Sequence, residues 1–546
     1  MTNFSSKILG NSVSAMTAQQ ALLANSSNNI ANVNTPGYTR REIAIQTRSD
    51  PATLDGILRI GSGVQLGEVQ RLTNKFLEGS LRTASSQQGA ALIKNDYLAR
   101  VENVFNLSGP QMTVGTAMND FFSSLNEVGV DPSNLDLRLN VLQRGQDLVT
   151  VINNTFQEIA AAQDELNYQV GQQVSIINSF TEEIAGLNHI VAQREAVGVS
   201  AIDERDQRDV LLNKLAEKVS FDILETPNGA INLYLENGFP LVHQSTSRPL
   251  EVTTTPSFAS GDLPPSLSGG VLSYVVYNFG SESAPSHLDL TSVIKNGEGA
   301  LGGVLELRGT ADTSNTSAYE ADGDLVRMAA RIEAVTKTLL TSINQVYRGN
   351  DEDTTTPGFE PSSADLNGNP PDVFGLFDFD FSGVKDADGD GLATIADLTA
   401  SGIDSFSSIL RMGFSTPDEF AAGRDVDPVD GSTAFVGGNG DNAVALADLR
   451  TQAFAFDLVQ VTFTGTFDEL YNSSVSTIGS LKAAAQNEYQ VAEANLLSAQ
   501  TKRDEFSSVS LDEEFANVIK YQKAFQASAR MIRTASEIID TIVSLI

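Results

Sequence analysis

Apolar residues recur at seven-residue steps at both ends of this chain. Near the C-terminus, Leu511, Val518, Phe525, Ile532, Ile539 and Ile546 fall on one line, and Phe515, Gln522, Ala529, Ser536 and Val543 on a second line four residues on. Two such rows form a continuous apolar seam on an α-helix, the repeat that winds helices around one another. No Gly or Pro interrupts it, and at 1.5 Å per residue it spans about 50 Å. Near the N-terminus, Ile8-Leu9, Ala15-Met16, Leu22-Leu23 and Asn29-Ile30 repeat at the same step until Asn34-Thr35-Pro36-Gly37. There Pro36 forces Thr35 out of the helical region and Gly37 supplies a turn. The expected assembly interface is Ile8, Leu9, Met16, Leu22, Leu23 and Ile30 with Leu511, Phe515, Val518, Phe525, Ile532, Ile539, Val543 and Ile546. An antiparallel pair of the two helices would bury both stripes within the chain. Burial by copies of the same molecule is the favoured alternative, because neither stripe has a large globular body evident beside it. The ends would then be disordered in the monomer and fold when subunits pack, each buried Ile, Leu or Phe contributing about 1.5–3 kcal/mol.

Between the ends the period changes several times. Residues 38–72 alternate as short hairpin strands, and from Thr73 the spacing is helical for about 140 residues, with stops at Gly109-Pro110, Gly129 and Pro132. Asn228-Gly229 and Asn237-Gly238 each divide alternating runs between Val219 and Val242, a strong hairpin signal. Helical spacing returns over Leu325–Val346 and again from Phe467 to Phe506. The expected class is multidomain α+β, with terminal coiled-coil-like helices, a long-helix bundle and inserted, mainly-β outer domains. Residues 1–36 with 508–546 form the terminal core. Residues 37–218, 300–348 and 449–507 form a helical body with a short β-hairpin section. Residues 219–299 form a β domain and 349–448 an acidic outer domain.

Charge sharpens this picture. The chain carries −34 over 546 residues, which argues against nucleic acid and anionic membrane surfaces as partners. Residues 349–448 hold about 20 acidic and 3 basic residues, so half of that net charge sits in one segment. There is no cysteine, which excludes disulfides, thiolate metal sites and cysteine catalysis. No apolar run reaches the length of a membrane helix, and the first 30 residues lack the pattern of a cleavable secretory signal. A protein of this kind that leaves the cell needs a dedicated machine that recognises it uncleaved.

Candidate chemistry is sparse. His189, His243 and His287 lie far apart, and there is no zinc-protease pair, Walker loop or nucleophile elbow. The cluster Arg205, Asp206, Arg208 and Asp209 reads as a salt-bridged helix start. In the acidic segment, Asp386, Asp388, Asp390 and Gly391, with Asp397 and the Leu392 carbonyl, match an EF-hand-type calcium loop. It departs from the pattern in having Asp at the last position and no preceding helix. Calcium is the expected ion, with a stiffening and not a catalytic role, and no cofactor is required.

Two terminal stretches carry a family resemblance. Ala24-Asn25-Ser26-Ser27-Asn28-Asn29-Ile30-Ala31-Asn32-Val33-Asn34-Thr35-Pro36-Gly37-Tyr38 resembles the N-terminal signature of bacterial flagellar rod, hook and hook-associated proteins. Leu511-Asp512-Glu513-Glu514 with Tyr521-Gln522-Lys523-Ala524-Phe525-Gln526 is similar to their C-terminal one. Asp203–Asp209, Asn237–Val242 and Gly440-Asp441-Asn442 narrow the resemblance to the hook-associated members. It implies a non-enzymatic structural subunit joining hook to filament, exported without cleavage by the flagellar type III apparatus with its chaperone. Its partners would be copies of itself, the hook protein and a second junction protein, outside the cell and without membrane insertion. The rival readings are another axial subunit, a hook or rod protein, or a secreted calcium-dependent adhesin.

Overall fold

Helices begin and end close to where the apolar periods start and stop. In order they are α1 (Thr2–Ala31), α2 (Lys75–Phe105), α3 (Val114–Val130), α4 (Leu135–Ala196), α5 (Ile202–Lys218), α6 (Thr291–Asn296), α7 (Ala300–Arg308) and α8 (Asp324–Thr338). A π turn, Leu339–Ile343, joins α8 to α9 (Asn344–Tyr347), and α10 (Asp441–Asp448), α11 (Phe467–Ser507) and α12 (Leu511–Ser544) follow. This computed structural model describes residues 2–48, 61, 63–105, 112–258, 266–281, 284–310, 322–347, 363–366, 375–379, 405–424, 438–458 and 461–544. The calcium-loop residues Asp386, Asp388, Asp390, Leu392 and Asp397, the Val543 side chain and Ile546 lie outside the described residues. The multidomain α+β class holds: long helices carry several small antiparallel sheets. The chain divides into two compact units.

Unit 1 comprises 1–88, 176–249 and 491–546. Its largest packing surface lies between α1 and α12. Arg40, just past α1, donates its backbone N–H to the Ser507 carbonyl at 2.9 Å, and its side chain reaches Glu513 and Glu514 in the first turn of α12. The end of α1 therefore meets the start of α12, and the pair is antiparallel. This corrects the expectation of two stripes with no partner in their own chain: matching seven-residue steps let each helix cover the other. The covered line of α12 runs through Glu514, Val518, Tyr521, Phe525, Ser528, Ile532, Ala535 and Ile539, stepping by four and three, with Asn517 and Ala524 half-buried beside it. The expected second row, one residue further on, stays open at Phe515, Gln522 and Ser536 and is half-buried only at Ala529.

A two-stranded hairpin, β1 (Arg41–Thr47) with β2 (Val64–Arg71), packs on α1. The four-stranded sheet β3 (Asp222–Glu225), β4 (Ile231–Tyr234), β5 (Pro240–His243) and β6 (Thr246–Ser247) runs in chain order. Its Asn-Gly turns work as the sequence implies, with Gly229 at φ +78° and Gly238 at φ +81°, where a Cβ is disfavoured. Asn188 of α4 anchors the sheet, accepting from Ile231 N–H (3.2 Å) and donating to the carbonyls of Ile231 (2.7 Å) and Gln244 (2.6 Å).

Unit 2 comprises 89–175 and 250–490. Its core gathers the buried Met118, Phe121, Phe122 and Leu125 of α3 with Phe377, Phe456 and Phe467. Ring centroids 5.4–5.9 Å apart link Phe121 to Phe377, Phe122 to Phe467 and Phe456 to Phe467. Two buried polar side chains hold separate segments together: Glu333 accepts from Phe406 N–H (2.8 Å), Ser407 N–H (3.1 Å) and Ser407 Oγ (2.7 Å). Asn442, from the Gly440-Asp441-Asn442 motif, donates to the carbonyls of Tyr347 (2.8 Å) and Ala421 (2.7 Å).

The stretch 219–299, expected as one β domain, carries two separate sheets. The second, β7 (Glu251–Thr253), β8 (Tyr274–Asn278) and β9 (His287–Asp289), belongs to unit 2, and α6 follows it. Within 449–507, expected as part of the helical body, residues Phe454–Asp457 and Thr462–Gly465 pair as a hairpin before α11, which sequence reading did not place there. Alternation over four residues is too short to separate from a helix turn by period alone.

Candidate functional site

The Asn-rich end of α1 is a hydrogen-bonding ladder. Asn25 and Asn29 donate to the Arg41 carbonyl at 2.7 and 3.0 Å, and Arg41 N–H returns a bond to Asn29 Oδ1. Tyr38 Oη donates toward both Asn28 Oδ1 (2.9 Å) and Asn29 Oδ1 (2.8 Å). Further back on the helix, Asn11 donates to the Gly61 carbonyl and Ser14 Oγ accepts from Val64 N–H. Residues 11, 14, 18, 22, 25 and 29 step at the helical period, so one stripe of α1 holds the hairpin backbone. Asn29 in the apolar row is thus buried and hydrogen-bonded through both its oxygen and its amide nitrogen, whereas Gln522 and Ser536 of α12 face solvent.

The turn after α1 is fixed by Gly37, at φ +79°, where a Cβ would come within 2.2 Å of the Val210 side chain on α5. Tyr38 to Arg41 then enter a charge network with α5. Arg71 of β2 pairs with Asp206 (2.7 Å) and Asp209, Arg41 with Asp203 and Asp206 (3.6 Å), and Thr39 Oγ1 donates to Asp206. Arg41 also lies over the Tyr38 ring, 4.7 Å from its centroid. Burial pushes the Asp206 carboxyl above its ordinary range against the opposing pull of Arg71, Thr39 and Arg41. The expected salt-bridged helix start is therefore more than a local feature: these charges tie α5 to the hairpin and the signature turn. Beside them runs a groove of about 940 Å³, lined by Asn32, Pro36 and Tyr38 of the turn, Leu187 and Ile190 of α4, and Val210 of α5.

Arg40 completes the arrangement. It bonds Glu513 at 2.6 Å and Glu514 at 2.9 Å, and Glu514 is buried. Sequence reading did not single out this pair, because 473 residues separate its partners and no period links them. Acidic residues in the first turn of α12 were the signal available.

The expected interface residues divide. Leu22 is buried, and Ile8, Leu9, Met16, Leu23, Ile30, Val518, Phe525, Ile532 and Ile539 are half-buried. Leu511 (41 %) and Phe515 (52 %) remain exposed, as do Ile519 (59 %), Met531 (53 %) and Ile538 (44 %), which lie outside the two expected rows. Leu511, Phe515 and Ile519 follow at four-residue steps and form one line; Met531 and Ile538, seven apart, form another. A helix that keeps apolar lines in water after pairing with its own chain offers surface to further helices.

Three family models match the chain. "Flagellar hook-associated protein FlgK helical domain" covers residues 98–358, "Flagella basal body rod protein" covers 9–39, and "Flagellar basal body rod FlgEFG protein C-terminal" covers 500–545. The chain is 26% identical over 600 aligned positions to flagellar hook-associated protein 1 of Salmonella typhimurium, covering 99% of this chain and 100% of that one. The same protein of Escherichia coli is 26% identical over 578 positions, covering 99% and 100%. That of Bacillus subtilis is 26% identical over 551, covering 97% and 96%. Among solved structures, the flagellar hook junction protein FlgK from Burkholderia pseudomallei aligns with TM-score 0.57 at 15% identity, over 79% of this chain and all of that one, a likeness of fold.

Proposed function

The chain belongs to the FlgK family of flagellar hook-associated proteins, and from that premise we propose that it is a structural subunit joining the flagellar hook to the filament. The observation that carries this reading is the α1–α12 pair: the two segments matched by rod-protein models at 9–39 and 500–545 form one antiparallel unit that still presents apolar lines to water. Packing of those lines against neighbouring copies, hook subunits on one side and the next junction layer on the other, builds the axial contact. Electron microscopy of a deletion strain tests the role. Hooks without filaments, and flagellin lost to the medium, are expected; full filaments on a verified deletion overturn it.

The subunit acts by assembly and not by catalysis. It reaches the outside of the cell through the flagellar type III export apparatus with a chaperone, so a strain with a blocked export apparatus retains it inside. Calcium binds the Asp386–Asp397 loop and stiffens that segment, as the spacing of Asp386, Asp388, Asp390 and Asp397 suggests. Calcium titration of the full chain checks this: saturable heat is expected, and its absence removes the ion from the account.

A further inference from the structure

A second cavity in unit 1, of about 290 Å³, is lined by cations in a chain that is otherwise strongly acidic. Arg71, Lys75, Arg82, Arg205 and Arg208 all border it, against the three carboxylates Glu78, Asp209 and Glu225. Three of them are accounted for by carboxylates. Arg71 pairs with Asp206 and Asp209, Arg205 with Glu195 (2.7 Å) and Glu225 (2.9 Å), and Lys75 with the same Glu225 (2.5 Å).

Arg208 is not, and Arg82 is only at the outer limit of an ion pair. Arg208 is 3 % exposed, and among the described residues no carboxylate oxygen lies within 4.0 Å of it. Its Nη1 donates to Asn188 Oδ1 and to the Gly229 carbonyl, both at 2.9 Å, while its Nε is buried without a hydrogen-bond partner. Arg82 has Glu78 at 4.0 Å as its nearest ion partner among the described residues. A guanidinium removed from water without a counter-charge is costly, and removing the cost needs an anion beside it. Its planar fork matches the edge of a tetrahedral oxyanion, and the cavity volume sits at the lower end of ligand sites, about 300–1,000 Å³.

We propose that this cavity binds a small tetrahedral oxyanion, inorganic phosphate or sulfate, held by Arg208 and Arg82 with Lys75 at its mouth. Lys75 is 87 % exposed, and exchanging its Glu225 contact for an ion would let it close over the mouth. The remaining acid on the wall does not oppose this. Burial, and then Asp209, push the Glu78 carboxyl above its ordinary range, and its buried Oε2, 4.0 Å from Arg82, has no hydrogen-bond partner. In its protonated form that oxygen donates to the ion instead of repelling it. Burial also pushes Arg208 down to about 10, a displacement that a neighbouring anion reverses. Because Arg208 carries the Asn228-Gly229 turn, an ion held there fixes the sheet β3–β6 against α4 and α5.

Calorimetric titration of the full chain with sodium phosphate or sodium sulfate, against sodium chloride and sodium acetate at matched ionic strength, tests the site. Saturable binding of the tetrahedral ions, a raised melting temperature and broadening of the phosphorus-31 resonance are expected. Arg208→Gln and Arg82→Gln should each weaken binding at least about tenfold, the loss of one charge-assisted contact. Absence of saturable binding to the folded chain overturns the proposal, and so does an equal response to chloride or acetate. Should Arg208→Gln fail to fold, Arg82→Gln decides: a folded variant with unchanged phosphate affinity removes the assignment.

Discussion

Asp206 carries more of unit 1 than its place in an alternating run of charges suggests. It accepts from Thr39 and Arg71 and faces Arg41, and all four side chains are largely withdrawn from water. Breaking one member of such a set leaves its partners desolvated without their charge. Asp206→Asn is therefore expected to destabilise the hairpin and signature turn by about 2–3 kcal/mol. Faster amide exchange in β1 and β2 would report it; unchanged exchange would deny the network its role. In unit 2 the fully buried Glu333 gives a prediction with a definite sign. Burial raises its carboxyl, with the Phe406 and Ser407 donors pulling the other way. A raised value means that the folded state holds the proton more tightly, so the contribution is greatest below the unfolded value of about 4.3 and declines as pH rises through the folded one. The stability difference between the native chain and Glu333→Gln, from urea midpoints, should shrink from about pH 4 upward. A difference that grows with pH contradicts this.

Among the elements, α12 shows what a heptad pattern reveals and what it hides. Its row Val518, Phe525, Ile532 and Ile539 was readable, because a seven-residue step fixes a line on a helix whatever covers it. The partner row was not, since residues three and four further on both complete a seam. Packing chose the row of Tyr521, Ser528 and Ala535, small or polar residues that the hydrophobic pattern passes over. Small side chains let helices approach, and polar ones meet the neighbouring chain. The ladder Asn25–Asn29 was equally hidden, because an Asn looks alike in sequence whether it faces water or a strand edge. Two substitutions separate the rows. Phe525→Ala removes half-buried area and should cost about 1–3 kcal/mol, seen as a lower melting temperature of the isolated chain. Phe515→Asp, on an exposed line, should leave that temperature within about 1 °C while abolishing filament attachment. The reverse outcome would mean that the exposed line has no role in assembly.

For the whole molecule, the helical segments were legible because long amphipathic runs repeat one period many times. The hairpin within 38–72 and the two at the Asn-Gly turns were legible as well; the later strands were not, since two to five residues present too few positions to establish a period. That is why 219–299 looked like one body although its two sheets belong to different units. The pairing of α1 with α12 was weighed from sequence and set second to contacts between copies; the single chain makes it. A chain ending after Ser510 should therefore lose amide protection along α1 and keep it in β3–β6, measured by hydrogen exchange. Retained protection of α1 would show that the hairpin alone holds it.

The same pairing sets a clock. Roughly 480 residues lie between the end of α1 at Ala31 and the start of α12 at Leu511, and ribosomes add about 5–20 residues per second. The first helix thus waits roughly 25–100 s for its mate at that rate, a delay during which the nascent front of the polypeptide stays accessible to whatever carries it onward.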